Sequence, residues 1–429
     1  MLQVLLLEKK NYYILLFWVA LGIFTGPLAF AAVPIHMLIM RRKHQWIWLI
    51  LGFWLILTLS DSRQGVFYFA QNLKTFVLLA LTYLYLTSEK EEGWHRFIQP
   101  FIPFLVVALA SMLENPRLFY SFQKTFSYLL LLLIVPGLVR LVIKYERDRF
   151  LYNLILLGTV ILAVGITLRF VYPGFVTFKG ERFSGLLGNP NGLGIYAFVF
   201  LALFTYIHSF HKQLFTRQQT IFIYVLLAAS LIMGGSRGGI FSVLLFITGW
   251  FLMKRNPIIG FIAMVAIFFS YQLVMANFVE IVLYLNLQDF FRLSTLETGS
   301  GRVLVAEIAW KHINMNYWFS KGFTYNEHIL AQYADYFIAK GHQGNVHNSW
   351  LTMWLDTGLV GLVLFCIGWL VNFFRASRFT PMVWALLFGL LLSASVESWL
   401  VASLNPFTIV LVIILTLLDD ENFYGEERV

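Results

Sequence analysis

The 429-residue sequence predicts an all-α polytopic membrane protein with about 12–14 transmembrane helices and one long extracytoplasmic loop. Three observations lead there. First, 59% of the residues are hydrophobic, only 12% are charged, and mean hydropathy is +0.75. A soluble chain of this length has no means of hiding so much apolar surface. Second, apolar stretches of roughly 17–25 residues recur along the chain, the length needed to cross a bilayer. Lipid offers no partner to an unpaired backbone group, so those stretches must be helices. Third, aromatic residues reach 18%, with 43 Phe and 13 Trp, as expected of lipid-facing surfaces and interfacial belts.

Taken in order, the first apolar segment runs from about Tyr12 to Met40. It is long for one crossing and short for two, and Pro27 lies near its middle. Clearer segments follow near 46–60, 66–87, 97–113, 124–143, 151–172, 191–209, 219–235, 238–253, 257–278, 349–374, 381–397 and 400–418. Basic clusters between them orient the bundle. Arg41-Arg42-Lys43, Lys144 to Arg149, His211 to Arg217, Lys254-Arg255 and Arg375 to Arg378 are expected in the cytoplasm, and the crossings between them have consistent parity. Residues 173–190, the turn Gly234 to Gly239 and the loop 279–347 then face outward, and the acidic tail 421–429 faces inward. The side of the amino terminus stays open. The chain divides into amino-terminal transmembrane helices (1–150), a second membrane domain that includes the outer loop (151–420), and the tail.

Several classes are excluded or disfavoured. The net charge of +9 sits mainly in short loops rather than in a basic module, so no nucleic-acid partner is expected. One cysteine, Cys366, allows neither an intrachain disulfide nor a thiolate cluster. The start MLQVLLLEKKNYY lacks the marks of a cleaved signal peptide. No internal repeat of the transporter kind is visible.

Polar groups that carry chemistry gather on the outer side. In KGERFSGLLGNPNGLGIYAF, Arg182 precedes a stretch interrupted by Gly185, Gly188, Gly192 and Gly194, with a turn at Asn189-Pro190-Asn191. That pattern suits a bent segment lining a cavity, or an ordinary connecting loop with a surface arginine. GGSRGGIF places Arg237 at the rim of the bundle, as an anion ligand or as a snorkelling side chain. In SGRVLVAEIAWKHI, Val303, Ala306, Trp310 and Ile313 have helical spacing, Ser300 is a candidate cap, and Arg302 would sit in the first turn, where the helix dipole adds to its pull on an anion. His347 precedes a membrane helix that Asn348 or Ser349 can cap, and the dipole there favours the neutral imidazole a general base needs. Gly358 and Gly361 suit close helix packing. Lys74 and Glu397 lie in or near spans, as pocket residues or as structural hydrogen-bonding groups, with Glu397 near the outer end. His312, His328 and His342 lack metal-ligand spacing, and no carboxylate cluster points to Mg²⁺ or Mn²⁺, so neither metal nor cofactor is expected.

Together these motifs resemble the O-antigen ligase and polymerase superfamily of bacterial envelope enzymes. The residues are His347-Asn348 followed by Gly358 and Gly361, R-F-S-G-L-L-G-N-P-N at 182–191, S-R-G-G at 236–239 and S-G-R at 300–302, in that family's order, over about residues 150–420. The resemblance implies a C-type glycosyltransferase-like membrane fold in the bacterial inner membrane, with an active site facing the periplasm. It implies a glycan donor linked to undecaprenyl diphosphate and an acceptor that is lipid A-core in a ligase or a lipid-linked glycan in an O-antigen or capsular polymerase. His347 would then be the catalytic base. Arg182, Arg237 and Arg302 would bind the diphosphate, Asn348 and Glu397 would support them, and transfer would be metal-independent and inverting. A lipid-linked glycan transporter or flippase is the alternative class, although charges concentrated on one face fit chemistry there better than passage through the midplane.

Overall fold

The computed structural model describes residues 2–88, 96–178, 182–277, 280, 283–284, 302–339 and 344–425. Among these, helices account for nearly every regular element, joined by one two-stranded antiparallel ribbon, Thr177–Phe178 against Arg182–Phe183. Among the described residues seven helical runs are long and apolar enough to cross a membrane, and five shorter apolar helices accompany them. The chain is an all-α polytopic membrane protein.

Two of the long helical runs are not single rods. The first segment reverses at Gly26–Leu28, where a 3₁₀ turn separates helix Leu2–Thr25 from helix Ala29–Arg42. Trp18 Nε1 donates to His36 Nδ1 at 2.7 Å. A straight helix would hold residues 18 positions apart at about 27 Å, so the two halves must run side by side. The amino-terminal end of this hairpin therefore lies on the side of Arg41, Arg42 and Lys43. The run Leu118–Val171 leaves helical geometry at Glu146, inside the basic stretch expected in the cytoplasm.

The chain forms two compact units. In the first (1–98, 127–240 and 402–429), helices Trp46–Asp61, Pro190–Phe210 and Pro406–Leu418 are apolar all round and almost wholly buried, as a helix surrounded by other helices should be. Trp54 ties them together, stacking on Tyr196 at 6.0 Å and donating from Nε1 to the Pro406 carbonyl at 3.3 Å. The acidic segment after Leu418 is held by ion pairs from Asp419 to Arg96 (3.4 Å) and Arg140 (3.1 Å).

In the second unit (99–126 and 241–401), Phe101, Phe104, Phe365 and Trp369 interlock along helix Ser349–Ser377. The outer loop contributes helices Arg302–Met315, Tyr325–Ala331 and Ala334–Ala339, which share a core with Val346 and Leu355. The buried stripe of the first of these is Val305, Ile308, Ala309 and Ile313. Of the residues with helical spacing, Ile313 joins this stripe, while Val303 and Trp310 are exposed. Ser300, the expected cap, and His342 lie outside the described residues.

Gly358 also differs from expectation. Rather than smoothing a helix contact, it breaks helix Ser349–Ser377, with φ 77° and ψ 175°, a region essentially reserved for glycine. The break leaves residues 349–357 as a short segment and 359–377 as a rod close to the length of one crossing. A Cβ at Gly361 would meet Thr357, just across this break, rather than another helix of the bundle.

Candidate functional site

Each unit brings some of the expected residues together. In the first, Phe178 pairs with Arg182 across the ribbon, and Ser184 N donates to Val176 O at 2.8 Å, closing the turn. Past the turn, Gly188 N donates to Asp61 Oδ2 at 3.0 Å, and Asn189 caps helix Pro190–Phe210 by accepting from Gly192 N at 2.8 Å. The stretch is thus a bent segment pinned to its surroundings. Arg182 Nη2 donates to both Gly234 O and Gly235 O, each at 3.0 Å. These carbonyls close helix Arg217–Gly234, where partial negative charge accumulates. Gly235 makes the turn possible by adopting φ 58°. Two positions on, Arg237 opens the next helix with its side chain exposed.

Partial burial, and then the charge of Arg237, hold the Arg182 guanidinium below its ordinary pKa. Two cations that repel one another at the head of a helix are suited to an anion. The same unit carries a groove of about 520 Å³, lined entirely by apolar side chains and tyrosines. It follows Leu157, Ile161, Val164 and Leu168 along one helix and reaches Phe175 and Leu186, the latter four residues beyond Arg182.

In the second unit His347, Arg302 and Glu397 meet. His347 Nδ1 lies 2.9 Å from Glu397 Oε2, and Arg302 Nη2 lies 3.4 Å from Oε1. Glu397 is the most enclosed of the three, its side chain 15% exposed against 25% for His347 and 40% for Arg302. An ionised carboxylate only accepts, so Nδ1 carries a hydrogen and, in the neutral imidazole, the acceptor lone pair falls on Nε2. That is the tautomer a general base requires.

The backbone beneath is built for this. His347 has φ 48°, an uncommon conformation for a residue other than glycine. Asn348 then caps the helix by accepting from Leu351 N at 3.0 Å. Ser349 Oγ donates to the Glu397 carbonyl at 2.8 Å and accepts from Leu400 N at 3.3 Å, fixing the segment that carries the carboxylate. Of the remaining sequence candidates, Lys74 donates to Leu404 O at 3.3 Å and His312 faces the Tyr333 hydroxyl at 3.4 Å. Among the described residues no group of three His, Cys, Asp or Glu is placed to hold a metal ion.

Sequence reasoning overlooked two carboxylates, the half-buried Asp61 and the buried Asp356. Asp356 sits inside an apolar stretch, and an ionisable residue in a span is a signal that could have drawn notice. Asp61 closes an apolar helix and gives no such mark.

A sequence model of the family described as O-antigen ligase matches residues 222–366. That third of the chain contains Arg237, Arg302, His347 and Asn348, while Arg182 and Glu397 lie outside it. The match supports the O-antigen ligase and polymerase superfamily that the motifs resemble. A comparison with curated proteins found no match.

Proposed function

We propose that this membrane enzyme of O-antigen ligase/polymerase type is a glycosyltransferase that moves a glycan from undecaprenyl diphosphate to a sugar hydroxyl of lipid A-core, on the periplasmic face of the inner membrane. One observation carries the proposal: a histidine whose Nδ1 is occupied by Glu397, with Arg302 on the other oxygen of the same carboxylate. An oriented base beside a phosphate-type ligand is what transfer from a diphosphate to a hydroxyl needs.

In this reading Nε2 of His347 takes the proton of the acceptor hydroxyl as its oxygen attacks the anomeric carbon. The bond from that carbon to the diphosphate oxygen breaks, the configuration inverts, and undecaprenyl diphosphate leaves with the electron pair. In the same reading Arg302, beside the base, binds the diphosphate and stabilises the charge that grows on it, while Arg182 and Arg237 give the first unit a cationic pair suited to the same kind of anion. Glu397 holds the imidazole in its tautomer and stabilises the imidazolium. The groove that reaches Phe175 and Leu186 offers an apolar seat for part of the isoprenoid chain, which suits an amphiphile with an anionic head. No ATP is required, because the sugar–diphosphate bond is already activated.

The test is incubation of purified protein with lipid-linked glycan and either lipid A-core or further donor. Glycosylated lipid A-core supports the proposal. Longer lipid-linked chains alone would make the protein a polymerase with the same base and cations. No transfer to either acceptor would overturn the enzyme reading in favour of a transporter.

A further inference from the structure

The Asp356 carboxylate is fully buried, lies outside the chemistry above, and is the focus of a dense polar cluster in the second unit. It accepts from Asn326 N at 2.8 Å and from Asn326 Nδ2 at 2.9 and 2.8 Å. Around it the break at Gly358 is stitched to the loop 317–322. Leu359 N donates to Tyr317 O at 2.9 Å, Val360 N to Trp318 O at 3.2 Å, and Gly322 N to Asp356 O at 2.7 Å. Ser320 Oγ donates to Leu355 O at 2.6 Å. From the other side Asn115 Nδ2 donates to Lys321 O at 2.7 Å and Phe323 O at 2.8 Å.

This clasp joins two rods at their feet. One is helix Arg302–Met315, which begins with Arg302 and runs into the clasped loop. The other is 349–357, which follows His347 and ends at Asp356 and the break. They lie alongside each other in the same direction. Their heads meet through Glu397, and about two turns further on Trp310 and Trp354 touch with ring centroids 5.1 Å apart. We propose that the Asp356 clasp sets the register between these rods, so that Arg302 and His347 both reach the carboxylate of Glu397.

The physical case is specificity. Apolar side chains tolerate a shift of one helix past another, and packed elements are known to jump by a whole turn. A buried carboxylate does not tolerate it, since losing its donors leaves a charge stranded away from water. Asp356 engages both the main-chain and side-chain nitrogens of a single residue, and only one register satisfies it. Asp356 and Asn326 are therefore positioning residues, and their effect on turnover rests on the transferase reading.

The test uses purified full-length Cys366→Ser protein with spin labels at Glu307→Cys and Asn345→Cys, two exposed positions, one on the Arg302 rod and one just before His347. Pulsed electron paramagnetic resonance is expected to give a narrow distance distribution with Asp356 present and a broad or displaced one in Asp356→Ala. Asp356→Asn, which keeps the oxygen that takes two of the three bonds from Asn326, is expected to restore the narrow one. Asn326→Ala, which retains the main-chain donor, should fall between them, and it carries the test if Asp356→Ala does not fold. In unlabelled protein kcat should fall roughly 10- to 100-fold in Asp356→Ala, with donor KM moving less than about threefold, as expected when a base is misplaced rather than a site lost. An unchanged distance distribution in the folded Asp356→Ala and Asn326→Ala variants, or a broadened one with wild-type kcat, would overturn the proposal. The distance measurement needs no substrate, so failure of the transfer assay with wild-type protein would sink the transferase reading and leave the register result standing.

Discussion

The two units assemble charge in opposite ways. In the first, cationic groups are placed by main chain: Arg182 leans on the carbonyls of Gly234 and Gly235, and Arg237 opens the helix two residues later. In the second, side chains place one another, with Glu397 between His347 and Arg302 and Ser349 steadying the chain beneath it. A turn held by carbonyls presents positive charge but provides no acceptor for a proton. A histidine held by a carboxylate provides that acceptor. In the proposed reaction, this contrast gives anion binding to both units and acid–base chemistry to the second alone.

The sharpest way to break this contrast is His347→Ala. Transfer should drop by roughly 10²- to 10⁴-fold while binding of the lipid-linked donor stays near wild type, measured by product formation and by donor titration. Loss of donor binding with retained turnover would reverse the roles. Glu397→Gln comes next, with an expected loss in kcat of roughly 100-fold, since the neutral amide no longer stabilises an imidazolium. A smaller and more diagnostic effect concerns the arginines of the first unit. Arg182→Lys should weaken the donor and also lower thermal stability, because one ammonium cannot copy the planar fork, whereas Arg237→Lys should weaken the donor with little change in melting temperature. Equal melting temperatures for the two would remove the structural half of the Arg182 assignment. Gly358→Ala forces a side chain onto a backbone suited to glycine and should cost about 1–3 kcal/mol in denaturation, more if the clash with the Trp318 main chain is not relieved. The smallest effect is that of Asn348→Ala, about 1 kcal/mol from loss of the cap.

Much of the candidate site could be read from residue types and their places along the apolar segments. Arg182, Arg237, Arg302 and His347 stood out because each is a polar group beside glycine or at the mouth of an apolar segment. Asn348 was identifiable as a cap because short polar side chains satisfy helix N–H groups locally. Glu397 was visible only as a carboxylate near the end of a span, since its partners are 50 and 95 residues away. The same distance hid the commitment of Arg182 to Gly234 and Gly235. The double nature of the first segment was equally out of reach, because Pro27 permits a kink or a reversal and contacts such as Trp18–His36 and Gln45–Asn11 distinguish them.

By itself, the order of residues determined the solvent and the helical class, and it set the expectation of which membrane face carries the charged groups. These follow from hydropathy, from backbone hydrogen bonding in lipid and from loop charge, all of them local properties. Tertiary structure alone decided that His347 is keyed to Glu397, that Gly358 ends one rod and starts another, and that Asp356 holds the outer loop. Each of those depends on partners distant in the chain, and a hydrogen bond across such a separation leaves no periodicity or spacing to be read beforehand.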